Sequence, residues 1–130
     1  TILINDSYNA NPTSVAAGLE VLAHLGKGKT SIAVLGNMLE QGPLAVENHR
    51  KIGEEAARHN IDWLVTVGSL AKEIPKGAAQ KSNKMKIKTF QRRNQAAEFL
   101  KNNMPDNSVI LVKGSRGAYM ERIVMKLKQD

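Results

Sequence analysis

The stretch Asn5-Asp6-Ser7-Tyr8-Asn9-Ala10-Asn11-Pro12 decides how the rest of the chain is arranged. A run of β-forming residues, Thr1–Ile4, leads into it, and a helical pattern beginning at Thr13 leads out of it. The stretch therefore connects the C-terminal end of a strand to the N-terminus of a helix. Open α/β sheets place ligands at this position, and the free N–H groups of a helix start favour an anionic ligand.

The same residues also have structural roles that need no ligand. Asn11 is a good N-cap and Pro12 suits the first helical position. Asp6 and Ser7 can satisfy a turn. Position in the chain alone therefore leaves open both a capped loop and a binding site.

Apolar segments of strand length alternate with helical patterns along the whole chain. The predicted strands are Thr1–Ile4, Ser31–Leu35, Ile61–Val67, Lys84–Lys88 and Ser108–Val112. The predicted helices are Thr13–Leu25, Leu44–His59, Leu70–Ala79 (weakened by Pro75), Asn94–Asn103 and a last one carrying Met120, Ile123, Val124 and Leu127. This alternation predicts an α/β fold with a parallel sheet and helices on both faces. The lysines of 84–88 alternate with apolar residues, which is typical of a protected edge strand.

Composition limits the classes of protein to consider. With 130 residues, one domain is expected. The absence of cysteine excludes disulfides and Cys-ligated metal, and no apolar run reaches the ~20 residues of a membrane span. The 19 basic and 12 acidic residues give a net charge of +7, which favours anionic partners without choosing among them.

Three polar loops, the last two of which also contain glycine, follow predicted strands at 5–12, 36–43 and 113–117. The carboxyl ends of parallel strands share one edge of a sheet, so these loops are expected to lie together. His49 falls on the inner stripe of the second helix. We interpret it as a hydrogen-bonded histidine at the boundary of the core in preference to a catalytic one.

The order of residues in these loops carries a resemblance to a known family. The segments concerned are Asp6–Pro12, Leu35–Gly42, His49–Gly53 and Leu111–Arg116. They resemble the C-terminal domain of the Mur ligases of MurF type. The resemblance implies an ATP-dependent ligase that adds D-alanyl-D-alanine to UDP-N-acetylmuramoyl-tripeptide in peptidoglycan synthesis, through an acyl phosphate.

The resemblance also implies the architecture. The domain is expected to be Rossmann-like, a three-layer α/β/α arrangement with its five parallel strands in the order 1-5-2-3-4. The family's sixth, antiparallel edge strand would precede Thr1. We expect residues 1–130 to be one domain of a longer ligase, without the N-terminal and central ATP-binding domains, and inactive as an isolated fragment.

For ATP, the resemblance assigns the first loop. Asp6 corresponds to the acid that approaches the ribose, where a carboxylate accepts from two hydroxyls, and Tyr8, Asn9 and Asn11 would face the phosphates. Mg²⁺ would be held mainly by the central domain, so no metal ligand is assigned here. The family commonly has Asp where this chain has Asn5.

For D-alanyl-D-alanine, the resemblance assigns the last loop, with Lys113, Ser115 and Arg116 as binding residues. Arg116 can hold the carboxylate bidentately. Gly36, Asn37 and Met38, with His49, are expected to have mainly structural roles. In this loop the chain has Asn37 and Gln41 in place of the family's Asp and Leu, which puts any charged role at 37 in doubt.

Two other functional classes stay open. One is the C-terminal domain of another ligase of the superfamily, such as a folylpolyglutamate-type enzyme. The other is a non-enzymatic basic module that binds nucleotides or nucleic acid. The preferred interpretation predicts a cytoplasmic protein whose partners are small-molecule substrates and its own central domain, with no nucleic acid and no membrane. By the same resemblance, the choice between lysine and diaminopimelate at the end of the acceptor tripeptide lies in the N-terminal domain.

Overall fold

Five strands and five α-helices alternate along the chain in the computed structural model, which describes residues 1–5, 10–81, 84–115 and 119–128. The strands are β1 (Ile2–Asn5), β2 (Thr30–Gly36), β3 (Trp63–Val67), β4 (Lys86–Phe90) and β5 (Ser108–Lys113). The helices are α1 (Pro12–Leu25), α2 (Ala45–Arg58), α3 (Ile74–Lys81), α4 (Arg93–Asn103) and α5 (Glu121–Leu127). Short 3₁₀ turns, Gly42–Leu44 and Ala71–Glu73, precede α2 and α3.

The strands form one parallel sheet in the order β1-β5-β2-β3-β4. This confirms the order that the family resemblance implied. It places β5 between β1 and β2, so the loops that follow these three strands are neighbours. It also puts the lysine-bearing strand β4 at an edge, where Lys86 and Lys88 are exposed.

Helices cover both faces of the sheet, which gives the predicted three layers. On one face, residues of α1, α2 and α3 such as Leu19, Ile52 and Ile74 form a core with the inward side chains of the sheet. On the other face, α4 and α5 pack through Leu100 and Ile123 against a second set of strand residues. The central strands β2 and β5 are buried on both faces, as expected for strands inside a parallel sheet.

Helix boundaries follow local chemistry. Asn11 caps α1, with its Oδ1 accepting from the Ser14 N–H at 2.9 Å, and Pro12 occupies the first helical position. Asn60, after α2, adopts the left-handed conformation expected of a cap, with φ of 57°. Pro75 does not break its helix, because α3 begins only at Ile74 and a proline in the first turn removes no helical hydrogen bond.

Two glycines bring α2 and α3 close together. A Cβ on Gly53 would overlap the Ile74 carbonyl oxygen, and one on Gly77 would overlap the Arg50 carbonyl oxygen. The two helices therefore pack backbone to backbone. Within the described ranges, no helix is long and apolar enough to cross a bilayer.

Candidate functional site

Ser115 joins the loops that follow β1, β2 and β5. Its N–H donates to the Asn37 carbonyl oxygen at 2.9 Å. Its Oγ accepts from the Leu39 N–H at 2.7 Å and donates to the Ala10 carbonyl oxygen at 3.2 Å. One nearly buried hydroxyl thus fixes the relative positions of the three loops that the sequence predicted to lie together.

Asn37 extends the same network to the loop after β3. Its Oδ1 accepts from the N–H groups of Leu70 and Ala71, at 2.9 and 2.8 Å. Gly68 passes so close that a Cβ there would lie 2.5 Å from Asn37 Oδ1, and its φ of 117° suits glycine alone. The Asn37 side chain therefore acts as a cap for the turn that leads into α3.

His49, on α2, supports the loop that follows β2. It is fully buried, and its Nε2 accepts from the Met38 N–H at 2.9 Å. Because a backbone N–H can only donate, the ring proton is on Nδ1, which donates to the Ala45 carbonyl oxygen at 2.6 Å. Both ring nitrogens are used within the fold, and neither is presented to a ligand.

Gly36 and Gly114 allow the sheet edge to approach the start of α5. A Cβ on Gly36 would lie 2.7 Å from Met120 Sδ, and one on Gly114 would lie 2.5 Å from Met120 Cγ. Gly36 and Gly114 are thus needed for packing, whatever else their loops do.

Lys113 differs from its expected position. It is the last residue of β5, paired in register with Leu35, and is not part of the loop. Only 1% of it is exposed, and its aliphatic chain passes Gly18 of α1. In this structure Lys113 offers almost no surface to a ligand.

Of the remaining predicted site residues, one lies in the described part of the chain and four do not. Asn11 is exposed at the start of α1, at the same edge as the Ser115 network. Asp6, Tyr8, Asn9 and Arg116 lie outside the described residues. The described residues therefore supply the hydrogen-bond network beside the predicted site. The contacts of Asp6 with the ribose and of Arg116 with the dipeptide carboxylate stay predictions.

An ion cluster that the sequence did not indicate links α2 to α3. Arg50 donates from Nε and Nη2 to Glu73 Oε1, at 3.1 and 2.9 Å, and Lys76 donates to Oε2 at 3.1 Å. The hydrogen bond from Lys76, followed by those from Arg50, lowers the pKa of Glu73 below its ordinary value. Lys76 lies three residues after Glu73, a spacing visible in the sequence, but Arg50 is distant.

A cavity of about 530 Å³, also not predicted, opens beside this edge, between the start of α4 and α5. Asn37 and Met120 belong to its wall, so it borders the loop network. Its other polar side chains come from α4, α5 and the loop after β4. No sequence motif marks it, because its residues come from separate elements.

Comparisons with known proteins match this chain over most of its length. The profile of the family described as "Mur ligase, glutamate ligase domain" matches residues 1–116. The UDP-N-acetylmuramoyl-tripeptide–D-alanyl-D-alanine ligase of Bacillus subtilis (strain 168) is 36% identical over 126 residues, covering 96% of this chain and 27% of the relative. The enzyme of that name from Escherichia coli (strain K12) is 32% identical over 131 residues, covering 99% and 27%.

Solved structures also resemble this chain over most of its length. A crystal structure of MurF from Acinetobacter baumannii superposes with a TM-score of 0.83 at 35% identity, over 96% of this chain and 27% of that one. MurF from Thermotoga maritima in complex with ADP superposes with a TM-score of 0.77 at 27% identity, over the same shares. The chain thus spans 27% of the length of these relatives.

Proposed function

The chain belongs to the Mur ligase family, and on this premise we propose that it is the C-terminal domain of a longer ATP-dependent ligase that joins D-alanyl-D-alanine to UDP-N-acetylmuramoyl-tripeptide. The observation that carries the proposal is the match of 96% of the chain to a relative of that name. The three motif loops support it further, because Ser115 holds them together where the family resemblance places the site.

In the proposed reaction, ATP phosphorylates a carboxylate of the acceptor peptide, and ADP leaves. The amine of D-alanyl-D-alanine then attacks the acyl phosphate, an amide bond forms and phosphate is released. The work of this domain is to close over ATP and to position the dipeptide, which lowers the barrier by orientation. The isolated chain is accordingly proposed to be inactive, and the intact enzyme to work in the cytoplasm.

ATP is the nucleotide that we assign to the first loop, with Asp6 accepting from the ribose hydroxyls and Tyr8, Asn9 and Asn11 facing the phosphates. The position of this loop after an edge strand, next to the start of α1, supports the assignment. For Mg²⁺ the described residues fit poorly, because no group of three His, Asp or Glu side chains among them could hold a metal. We therefore assign the metal to the central domain and derive no step through it.

The dipeptide is assigned to the loop that ends β5. Ser115 fixes the path of this loop and Lys113 forms its buried base, so Arg116 is left as the proposed contact to the dipeptide carboxylate. A guanidinium can hold a carboxylate through two parallel hydrogen bonds.

Glutamate addition is the second candidate, favoured by one observation. The family description itself names a glutamate ligase domain, which fits an enzyme that adds glutamate to folate or to another acceptor. Both candidates use ATP and an acyl phosphate, so the added amine distinguishes them.

The test is the reaction of the full-length enzyme that contains this chain. Phosphate release should require ATP, UDP-N-acetylmuramoyl-tripeptide and D-alanyl-D-alanine together. Release with glutamate and not with the dipeptide would replace the first candidate by the second.

Arg116→Ala tests the assigned dipeptide contact in the same assay. It should raise the dipeptide KM roughly 10- to 150-fold, which corresponds to the ~1.5–3 kcal/mol of a hydrogen bond to a charged group. The ATP KM should change far less. Equal rises in both constants would instead assign Arg116 to folding or closure.

A further inference from the structure

The charged side chains that line the cavity between α4 and α5 are all positive. Arg92, Arg93, Arg122 and Lys126 line it, and no carboxylate does so among the described residues. Within the same part of the chain, Arg92, Arg122 and Lys126 form no ion pair with an acidic side chain. Three such cations facing one space repel each other unless an anion lies among them.

Two of these cations are held in place by one aromatic ring. The guanidinium carbon of Arg93 lies 5.5 Å from the centre of the Tyr119 ring, and that of Arg122 lies 5.6 Å from it. Such cation–π contacts restrict long, flexible side chains before any ligand arrives. The two guanidinium groups are therefore partly preorganised at the side of the cavity.

The base of the cavity is apolar. Val67, Ala97 and Ile123 contribute to it, and all three are buried in the second core. Its volume of about 530 Å³ is that of a small-molecule site. An apolar base below a cationic rim suits a ligand with a short non-polar part and an anionic group.

We propose that this cavity is a binding site for a small molecule carrying a carboxylate or phosphate group, held mainly by Arg122 with Arg92, Arg93 and Lys126. Guanidinium groups match the geometry of both oxyanions, so the chemistry is shared. Of the residues assigned to ATP and to the dipeptide, the described ones, Asn11, Lys113 and Ser115, do not line the cavity. It does not depend on the proposed function, since the chain itself supplies every contact.

Titration of this chain with orthophosphate and, separately, with propionate, a short carboxylate that is not a proposed substrate, tests the proposal and distinguishes the two anionic groups. Calorimetry gives the affinity, and the amide signals of Gly68 and Ala97 report the cavity, while that of Gly28, which is not part of its lining, serves as a reference. At least one probe should bind at millimolar concentration and shift the first two signals but not the third. The probe that binds identifies the anionic group.

Arg122→Gln should then weaken binding roughly 10-fold or more, as expected for the loss of a charge-assisted hydrogen bond. Lys126→Gln provides a second variant if the first does not fold, as judged by circular dichroism. Arg58→Gln is the matched control, because Arg58 is an exposed arginine on α2, paired with Glu55, outside the cavity. Equal weakening by the control would mean diffuse attraction to a chain of net charge +7 and would overturn the proposal, as would no binding of either probe.

Discussion

Asn37 holds two loops together, through its side chain on one side and its carbonyl oxygen on the other. Its Oδ1 accepts from Leu70 and Ala71, and its carbonyl oxygen accepts from Ser115. Partly buried N–H groups that lose their acceptor are costly. The amide at this position thus has a structural use, which does not need the charge of the family's common Asp.

Asn37→Ala should lower the free energy of unfolding by about 1–3 kcal/mol, because two backbone donors lose their partner. Asn37→Asp keeps an oxygen acceptor and should cost much less. Urea unfolding of the two variants measures the difference, with Asn102→Ala, an exposed position on α4, as the control. If Asn37→Ala and Asn37→Asp are equally destabilising, the acceptor role is refuted.

The contact between α2 and α3 depends on glycine at both crossing points. Elsewhere in a helix, replacing Gly by Ala favours the folded state by up to about 1 kcal/mol. At Gly53 and Gly77 the added carbon would meet backbone oxygen, which cannot move without separating the helices. Steric cost should therefore exceed the gain in helix propensity.

Gly53→Ala should destabilise the domain by about 1–3 kcal/mol or more, as overpacking does. Gly18→Ala in α1 is the matched control, because its Cβ would meet side chains and no backbone: Leu111, at 3.1 Å from Cδ2, and Lys113, at 3.8 Å from Cδ. Thermal unfolding of both variants should show a lowered Tm for the first and little change or a rise for the second. The opposite ranking would show that α2 and α3 separate easily.

The ion cluster of Arg50, Glu73 and Lys76 joins the same two helices and should make the stability of the fold depend on pH. Since the folded-state pKa of Glu73 lies below its ordinary value of 4.5, its ionised form stabilises the fold above that pH. This stabilisation should be lost as the pH falls below 4.5 and through the lowered folded-state pKa.

Glu73→Gln should therefore destabilise the domain at pH 7, and its difference from the wild type should shrink as the pH falls below 4.5. Unfolding curves recorded at a series of pH values measure this difference. Glu98→Gln, at an exposed position on α4, should show no such trend. A constant difference across the series would mean that the substitution at position 73 acts through packing and not through charge.

The proposed function requires this domain to move onto a partner domain before the first loop can reach ATP. Under the proposed function, Asp6 contacts the ribose only when the domains close, so it should aid positioning more than chemistry. Asp6→Asn should leave stability almost unchanged, since Asn suits turns as well as Asp.

In the full-length enzyme, wild type should discriminate between ATP and at least one of 2′-deoxy- and 3′-deoxy-ATP. Asp6→Asn should lose most of that discrimination, because one charged acceptor is gone. The kcat/KM ratios for ATP and each analogue measure it. Equal ratios for wild type and variant would mean that Asp6 has a structural role in its motif.

Local patterns were sufficient for the elements and for the layers of this domain. The cap at Asn11, the proline at the start of α1, and the alternation of strands with helices all depend on near neighbours, and the structure confirms them. The strand order 1-5-2-3-4 came from the family resemblance, because alternation of strands and helices is compatible with several orders.

Long-range packing determined the features that local sequence patterns did not predict. The bonds of Ser115 join residues 76 and 105 positions apart, the burial of Lys113 depends on α1, and the cationic cavity needs α4 and α5 side by side. Periodicity and capping report only contacts within a few residues. The packing of helices and loops against the sheet determines which distant side chains share a hydrogen bond or line the same cavity.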